Sequence, residues 1–267
     1  MRSLLLATLA CFIAFDLHSQ DVFPSEPFEK PCDEQMANHL ALQARTLEQA
    51  HAILRNCRNP HDLYVGVTRT GNKETVPLLL ERYRLDYGTT EPVLPPGMSE
   101  GFVCTRVHLI DALRTITNTD QGLYYPRWAG WWEANKRLSQ HQWMLNGFAA
   151  QGLHVSEPID ERFALELMEV VGRGVNYHGG PGFDYRSVNA ERLLAVQKAG
   201  PRARWVERAA ASPQRLHRLA AVAILCEVDT VGHEDVLRRL AADSDAEVSR
   251  GALTTLSRRR SSSRCEL

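Results

Sequence analysis

This sequence has few of the features that identify an enzyme. Across its 267 residues there is no H-E-x-x-H motif and no C-x-x-C motif, so neither a helical zinc-protease site nor a paired-cysteine metal or redox site is indicated. A formal net charge of -1 excludes the strong positive field that recruits nucleic acid or anionic membrane. No useful run of alternating polar and apolar residues predicts a strand. The sequence therefore points to a helical protein, and we predict no metal and no cofactor.

The first nineteen residues have the composition of a secretory signal. Arg2 precedes an apolar stretch that ends near Phe15 and is too short to span a bilayer. Cleavage after Ser19 leaves residues 20–31 as a linker rich in proline and acid, and it predicts a periplasmic or extracellular protein. The alternative, a lipoprotein signal with Cys11 as a lipid anchor, is less favoured because Thr8 stands where leucine is preferred. No other segment predicts a membrane span.

Export would place the chain where disulfides persist. The cysteines after residue 19 are odd in number, so at least one thiol stays free or pairs outside the chain; they are Cys32, Cys57, Cys104, Cys226 and Cys265. Cys32 and Cys57 bracket a long helical stretch, so they form a bond only if the chain doubles back between them. Cys226 follows three apolar residues and is predicted to be a small buried side chain.

Two stretches near the C-terminus match each other at an offset of thirty-one residues, as Trp205 and Val236 illustrate. The matched apolar positions run from Trp205 to Leu225 and again from Val236 to Leu256. Each copy predicts two short amphipathic helices, which cannot bury their apolar faces alone and must stack on neighbouring copies. The pattern thus predicts an all-α solenoid of stacked antiparallel helix pairs.

The rest of the chain is predicted to continue this array. Periodicity predicts one long helical stretch from Asp33 to about Asn56. Two loops rich in glycine and proline, at residues 88–101 and 172–186, are predicted insertions in an array that covers residues 32–258. Residues 259–267 complete a basic run among serines and are predicted to be a solvated, disordered tail, because no aromatic side chains accompany them for stacking on bases.

Three segments carry a family resemblance. Residues 65–80, with a glycine turn followed by Val76-Pro77-Leu78, resemble the junction between successive HEAT repeats, and residues 235–256 are similar to the body of one repeat. Residues 112–120, followed by Trp128, Trp131 and Trp132, resemble a segment of exported bacterial HEAT-repeat proteins. The resemblance implies a right-handed stack of helix pairs whose second helices line a concave, ligand-holding face. It implies no reaction.

Candidate binding residues fall into two groups. Three arginines are expected along the concave groove: Arg106, Arg114 and Arg218. The second group lies in or beside the second loop and consists of Tyr177, His178, Asp184 and Arg186. That loop lacks the lysine and the preceding strand of a phosphate-binding loop. The tryptophans at i, i+3 and i+4 form one helix face and are predicted to fill the core. The histidines are scattered, and their spacing predicts no metal site.

These observations favour a non-catalytic scaffold or adaptor that binds another protein through its concave helix face. The alternative is a repeat-fold enzyme or enzyme subunit, of lyase or isomerase type, with a site near residues 172–186. A pocket that unites His178, Asp184 and Arg186 would favour the alternative. No catalytic residue is assigned under either hypothesis.

Overall fold

A computed structural model of the chain describes residues 32–90, 104–175, 184–227 and 233–261. These residues form thirteen helices and no strand, which confirms the all-α prediction, and none of these helices is long and apolar enough to cross a membrane. The helices are α1 (Glu34–Gln43), α2 (Leu47–Asn56), α3 (His61–Thr70), α4 (Thr75–Tyr87), α5 (Cys104–Thr117), α6 (Tyr125–Asn135), α7 (Gln140–Ala150), α8 (Glu161–Val175), α9 (Tyr185–Ala195), α10 (Ala199–Ala210), α11 (Arg215–Glu227), α12 (Glu234–Ala241) and α13 (Ala246–Ser261).

The stretch predicted as one long helix is in fact two helices, α1 and α2. Thr46 begins α2 with a capping box: its Oγ1 accepts a hydrogen bond from the Gln49 amide at 3.2 Å, and the Gln49 side chain accepts one from the Thr46 amide at 3.1 Å. The chain therefore doubles back between the two cysteines that bracket it. Cys32 and Cys57 form a disulfide, with Cα atoms 4.5 Å apart.

Helices of the N-terminal half alternate between two rows. One row contains α1, α3 and α5, which contact one another in that order, and the other contains α2, α4 and α6. The two rows pack together through α2 against α3 and α4 against α5. In the C-terminal half, α8, α11 and α13 form one row, and α10 and α12 pack beside it. Helices adjacent in a row are therefore not adjacent in sequence.

Helix α9 joins the two halves, since it contacts both α5 and α8. Its buried Asn189 donates a hydrogen bond from Nδ2 to Asn118 Oδ1 at 3.1 Å, and the Asn118 amide nitrogen donates to the carbonyl of Met144 in α7 at 2.8 Å. Asn118 has φ 53, a left-handed conformation that asparagine tolerates better than most residues. A buried polar network thus fixes the junction of α5, α7 and α9.

Two hydrophobic clusters form the core, one in each half of the chain. The N-terminal cluster includes the fully buried Trp128 and Trp143, with Trp131 and Trp132 packed against it. The ring centroid of Trp143 lies 5.2 Å from that of Trp131 and 5.9 Å from that of Trp132, in edge-to-face geometry. The prediction that the tryptophans of α6 fill the core is confirmed for Trp128, while Trp131 and Trp132 are partly buried and pack against it.

Several predicted boundaries are wrong. The second loop is shorter than 172–186, because α8 continues to Val175 and α9 begins at Tyr185. Gly172 permits close packing of α8, since a side chain there would overlap the backbone of Leu216 in α11. Helix α13 extends to Ser261 and so includes the start of the predicted disordered tail. The insertion at 88–101 lies largely outside the described residues, as do the signal and the linker.

The thirty-one-residue repeat corresponds to α10 and α11 followed by α12 and α13. Trp205 and its partner Val236 are both buried. The burial pattern of the two copies differs at Leu253, which is 55% exposed, whereas the matching Val222 is buried. Helix α13 contacts α11 and α12, and no later helix among the described residues covers its other side. The prediction that Cys226 is a small buried side chain is wrong: it is only partly buried and is disulfide-bonded.

Candidate functional site

The three arginines predicted to line a groove are engaged within the protein. Arg106 is 5% exposed. Arg114 lies 3.0 Å from both Asp111 and Asp120, and both distances join guanidinium nitrogens to carboxylate oxygens. The Nε of Arg218 lies 2.7 Å from the Asp243 carboxylate, before α13, and its guanidinium also donates to the carbonyl of Ser212 at 3.0 Å. Of the three, Arg218 links α11 to the turn before α13, and Arg114 pairs within α5 and with the turn after it. Their role in binding a partner stays a prediction.

The structure describes only part of the predicted loop site. Tyr177 and His178 lie outside the described residues. Asp184 is the N-cap of α9, where its carboxylate accepts a hydrogen bond from the Arg186 amide at 3.1 Å. The Arg186 guanidinium lies over the ring of Tyr185, 5.6 Å from its centroid. The described contacts of Asp184 and Arg186 are thus local ones that start a helix.

The sequence also contains a G-x-S-x-G pattern, at Gly97–Gly101. In a nucleophile elbow this pattern forms the turn between a strand and a helix. Here it lies outside the described residues.

A cleft of about 480 Å³ opens where α8, α10 and α11 meet. We call it the charged cleft, since most of its lining side chains ionise; they include Glu161, Arg162, Glu166, Glu169, Arg208 and His217. Arg162 and Glu166 form an ion pair at 3.1 Å, and Arg208 pairs with Glu161 between α10 and α8. The side chains of Arg162 and Arg208 are 70% and 64% exposed, so both guanidinium groups are open to solvent.

His217 lies at the wall of the charged cleft and is 9% exposed. Its Nδ1 lies 3.0 Å from the hydroxyl of Ser212. Burial lowers the pKa of His217 below its ordinary value, against a smaller opposing effect of Glu169. The imidazole is therefore neutral at neutral pH, and the arginines supply the positive charge of the cleft.

A second cluster lies between α3 and α5 and contains His61, Cys104 and His108. Cys104 Sγ lies 3.5 Å from His61 Nε2 and 3.3 Å from His108 Nε2, and one ligand atom from each residue lies within 4.8 Å of the others. The two imidazole rings meet edge to face with centroids 4.7 Å apart. Cys104 is exposed and is the free cysteine of the described residues.

Electrostatics keep His108 in its neutral form. Burial, and then the neighbouring His61, lower the pKa of His108 below its ordinary value, while Asp111 and Asp62 act in the opposite direction. The His61 ring is oriented by Asp62, whose carboxylate lies 2.8 Å from His61 Nδ1. Because a carboxylate only accepts hydrogen bonds, Nδ1 carries a proton in this contact, and in the neutral form of the ring Nε2 is the acceptor that faces the cluster.

Sequence reasoning missed both sites for different reasons. Cys104 and His108 are four residues apart and so share a face of one helix, a signal that was available. His61 is 43 residues before Cys104, and only the packing of α3 on α5 brings the two together. The charged cleft likewise depends on how three helices meet.

A comparison with protein-family models, curated proteins and solved structures finds no match to this chain.

Proposed function

We propose that this protein is a scaffold or adaptor whose helices form a HEAT-like solenoid and whose charged cleft holds a segment of another protein. The observation that carries the proposal is the cleft itself: side chains from α8, α10 and α11 converge on one open, charged surface. Concave surfaces built by stacked helix pairs are the usual binding surfaces of repeat proteins. The proposal moves the binding surface away from the arginines that the sequence suggested.

The solenoid is supported by the helix rows and by ion pairs between the two copies of the thirty-one-residue repeat. Arg215 at the start of α11 lies 2.8 Å from Asp245, just before α13, and Arg218 pairs with Asp243 in the same turn. Both contacts join one copy of the thirty-one-residue repeat to the next. Such nearest-neighbour links are what a stack of similar units requires.

The charges of the cleft favour a polar protein segment that carries both signs. Its ion pairs are exposed, and an exposed pair contributes only about 0–1 kcal/mol to stability. The fold therefore loses little stability if Arg162 and Arg208 leave Glu166 and Glu161 and pair with charges of a partner instead. The half-buried Leu165 adds an apolar contact among them. Complementary charge gives such an interface its specificity and rate of association.

Export to the periplasm or beyond the cell is part of the proposal. The first nineteen residues lie outside the described residues and stay a predicted signal, with Cys11 as the less favoured lipid anchor. Support comes from the disulfide of Cys32 with Cys57 and from the bonded state of Cys226. Disulfides persist in oxidising compartments and are rare in the cytosol.

Reversal of charge in the cleft tests this function. We expect the mature chain to capture one protein in stoichiometric amount from its native extract, and the double variant Arg162→Glu, Arg208→Glu to lose it. Reversal of these two exposed charges should weaken binding at least ~10-fold, with a smaller effect at high salt. The matched control is Arg238→Glu in α12, another exposed, ion-paired arginine outside the cleft. Equal capture by the wild type and the double variant would contradict the proposal.

A further inference from the structure

The cluster of His61, Cys104 and His108 has the donor atoms of a transition-metal site. It offers one thiol sulfur and two imidazole nitrogens, the ligands that zinc prefers in proteins. The Nδ1 of His61 donates to Asp62 at 2.8 Å, so Nε2, the nitrogen that faces the cluster, is the one available to coordinate a metal. A carboxylate behind a ligating histidine is the usual arrangement in zinc sites, where it fixes the ring and its tautomer.

Two of the three ligand separations match those around a tetrahedral ion. A sulfur ~2.3 Å and a nitrogen ~2.05 Å from zinc lie about 3.6 Å apart at the tetrahedral angle. The observed separations from Cys104 Sγ are 3.5 Å to His61 Nε2 and 3.3 Å to His108 Nε2. One of these separations lies within α5 and the other joins α5 to α3, so the packing of the two helices already brings the sulfur close to both nitrogens.

The position of the cluster suits an exchangeable ion. Cys104 is exposed and both histidines are partly exposed, so solvent reaches the ligands. Three protein ligands leave a fourth position for water or another ligand, as in catalytic zinc sites, whereas purely structural sites have four. The ligands also come from α3 and α5, which are neighbours in one helix row. A bound ion would therefore join two successive units of the array.

We propose that His61, Cys104 and His108 bind one zinc ion between α3 and α5, with Asp62 as the residue that positions His61. This departs from the sequence prediction of no metal. It is independent of the proposed partner protein, because the charged cleft is formed by other helices. Binding releases the thiol proton of Cys104 to solvent, and no redox step is involved.

Titration of the folded full-length chain with cobalt(II), followed by displacement with zinc, tests the site. We expect one equivalent of cobalt to give visible bands of tetrahedral intensity and a thiolate-to-cobalt charge-transfer band, and zinc to abolish both. Cys104→Ser should lose the charge-transfer band. Asp62→Asn should weaken zinc binding ~10-fold, as is typical when the partner of a ligating histidine is removed. The matched control is His141→Gln, which changes an exposed histidine that pairs with Glu157 through Nε2, and it should bind zinc normally.

Two measurements keep the test independent of folding defects in variants. In the wild type, zinc should slow alkylation of Cys104 by iodoacetamide and should raise the melting temperature, since a ligand bound only by the native state stabilises it. Absence of protection, a cobalt spectrum without a thiolate band, or wild-type zinc affinity in both Asp62→Asn and Cys104→Ser would each overturn the proposal. Binding of copper but not of zinc or cobalt would overturn the assignment to zinc.

Discussion

At the scale of single residues, buried histidines make the stability of this protein depend on pH. His51 is 6% exposed, and its Nε2 lies 2.8 Å from the hydroxyl of Thr75 in the neighbouring α4. Burial, and then Arg55, lower the pKa of His51, while Glu74 raises it to a smaller extent. His217 is shifted in the same direction by burial. Both histidines are neutral in the folded state at neutral pH.

The sign of the pH effect follows from this shift. As pH falls below the ordinary pKa of histidine, about 6.5, the histidines of the unfolded chain bind protons while those of the folded chain stay neutral. The free energy of unfolding therefore decreases as the pH is lowered. We expect urea unfolding to show lower stability at pH 5.5 than at pH 7.5, and His51→Gln to reduce that difference. The variant should also lose about 1 kcal/mol at pH 7.5, with its hydrogen bond. An unchanged pH dependence in the double variant His51→Gln, His217→Gln would contradict this explanation; His141→Gln is the exposed control.

The disulfide between Cys32 and Cys57 carries a second prediction at this scale. It closes a loop with a sequence separation of 25 residues. Chain-entropy arguments give such a crosslink about 3–4 kcal/mol of stabilisation through the unfolded state. The double variant Cys32→Ser, Cys57→Ser should lose about that much in denaturant unfolding. Cys104→Ser, which removes an exposed free thiol, should unfold like the wild type in metal-free buffer, and equal losses for both would refute the assignment.

At the scale of helices, close packing depends on particular glycines. Gly172 in α8 faces the backbone of Leu216, and the overlap with a methyl group at that position cannot be relieved by rotation of a side chain. Gly172→Ala should therefore cost at least ~1–3 kcal/mol, the usual range for overpacking. Gly130 in α6 has open space around it. Gly130→Ala should stabilise by about 0.5–1 kcal/mol through helix propensity, and thermal melts of the two variants should shift in opposite directions.

Helix boundaries show how far the sequence predicts this fold. Periodicity identified most of the helices, because their apolar faces are well separated from their polar ones. It missed the break between α1 and α2, since the turn there contains no proline or glycine and the apolar spacing continues through it. Thr46 and Gln49 form a capping box that marks the break in the sequence. The sequence prediction also ended α8 too early, at Gly172, where close packing against Leu216 requires a glycine.

At the scale of the whole molecule, the repeat near the C-terminus predicted two packed helix pairs but not how the halves join. The junction depends on the buried hydrogen bond between Asn118 and Asn189, which are 71 residues apart. The metal-site candidate and the charged cleft depend on contacts of the same kind. A local pattern shows which faces are buried, but it does not show which distant helix covers them.

If the charged cleft between α8, α10 and α11 holds the partner, hydrogen–deuterium exchange of the protein, alone and with the protein it captures, will show it. We expect slower exchange in the first turn of α8, the last turn of α10 and the first turn of α11. No slowing is expected there for the double variant Arg162→Glu, Arg208→Glu. Protection confined to other helices, or an unchanged pattern in the presence of the captured protein, would contradict this role of the cleft.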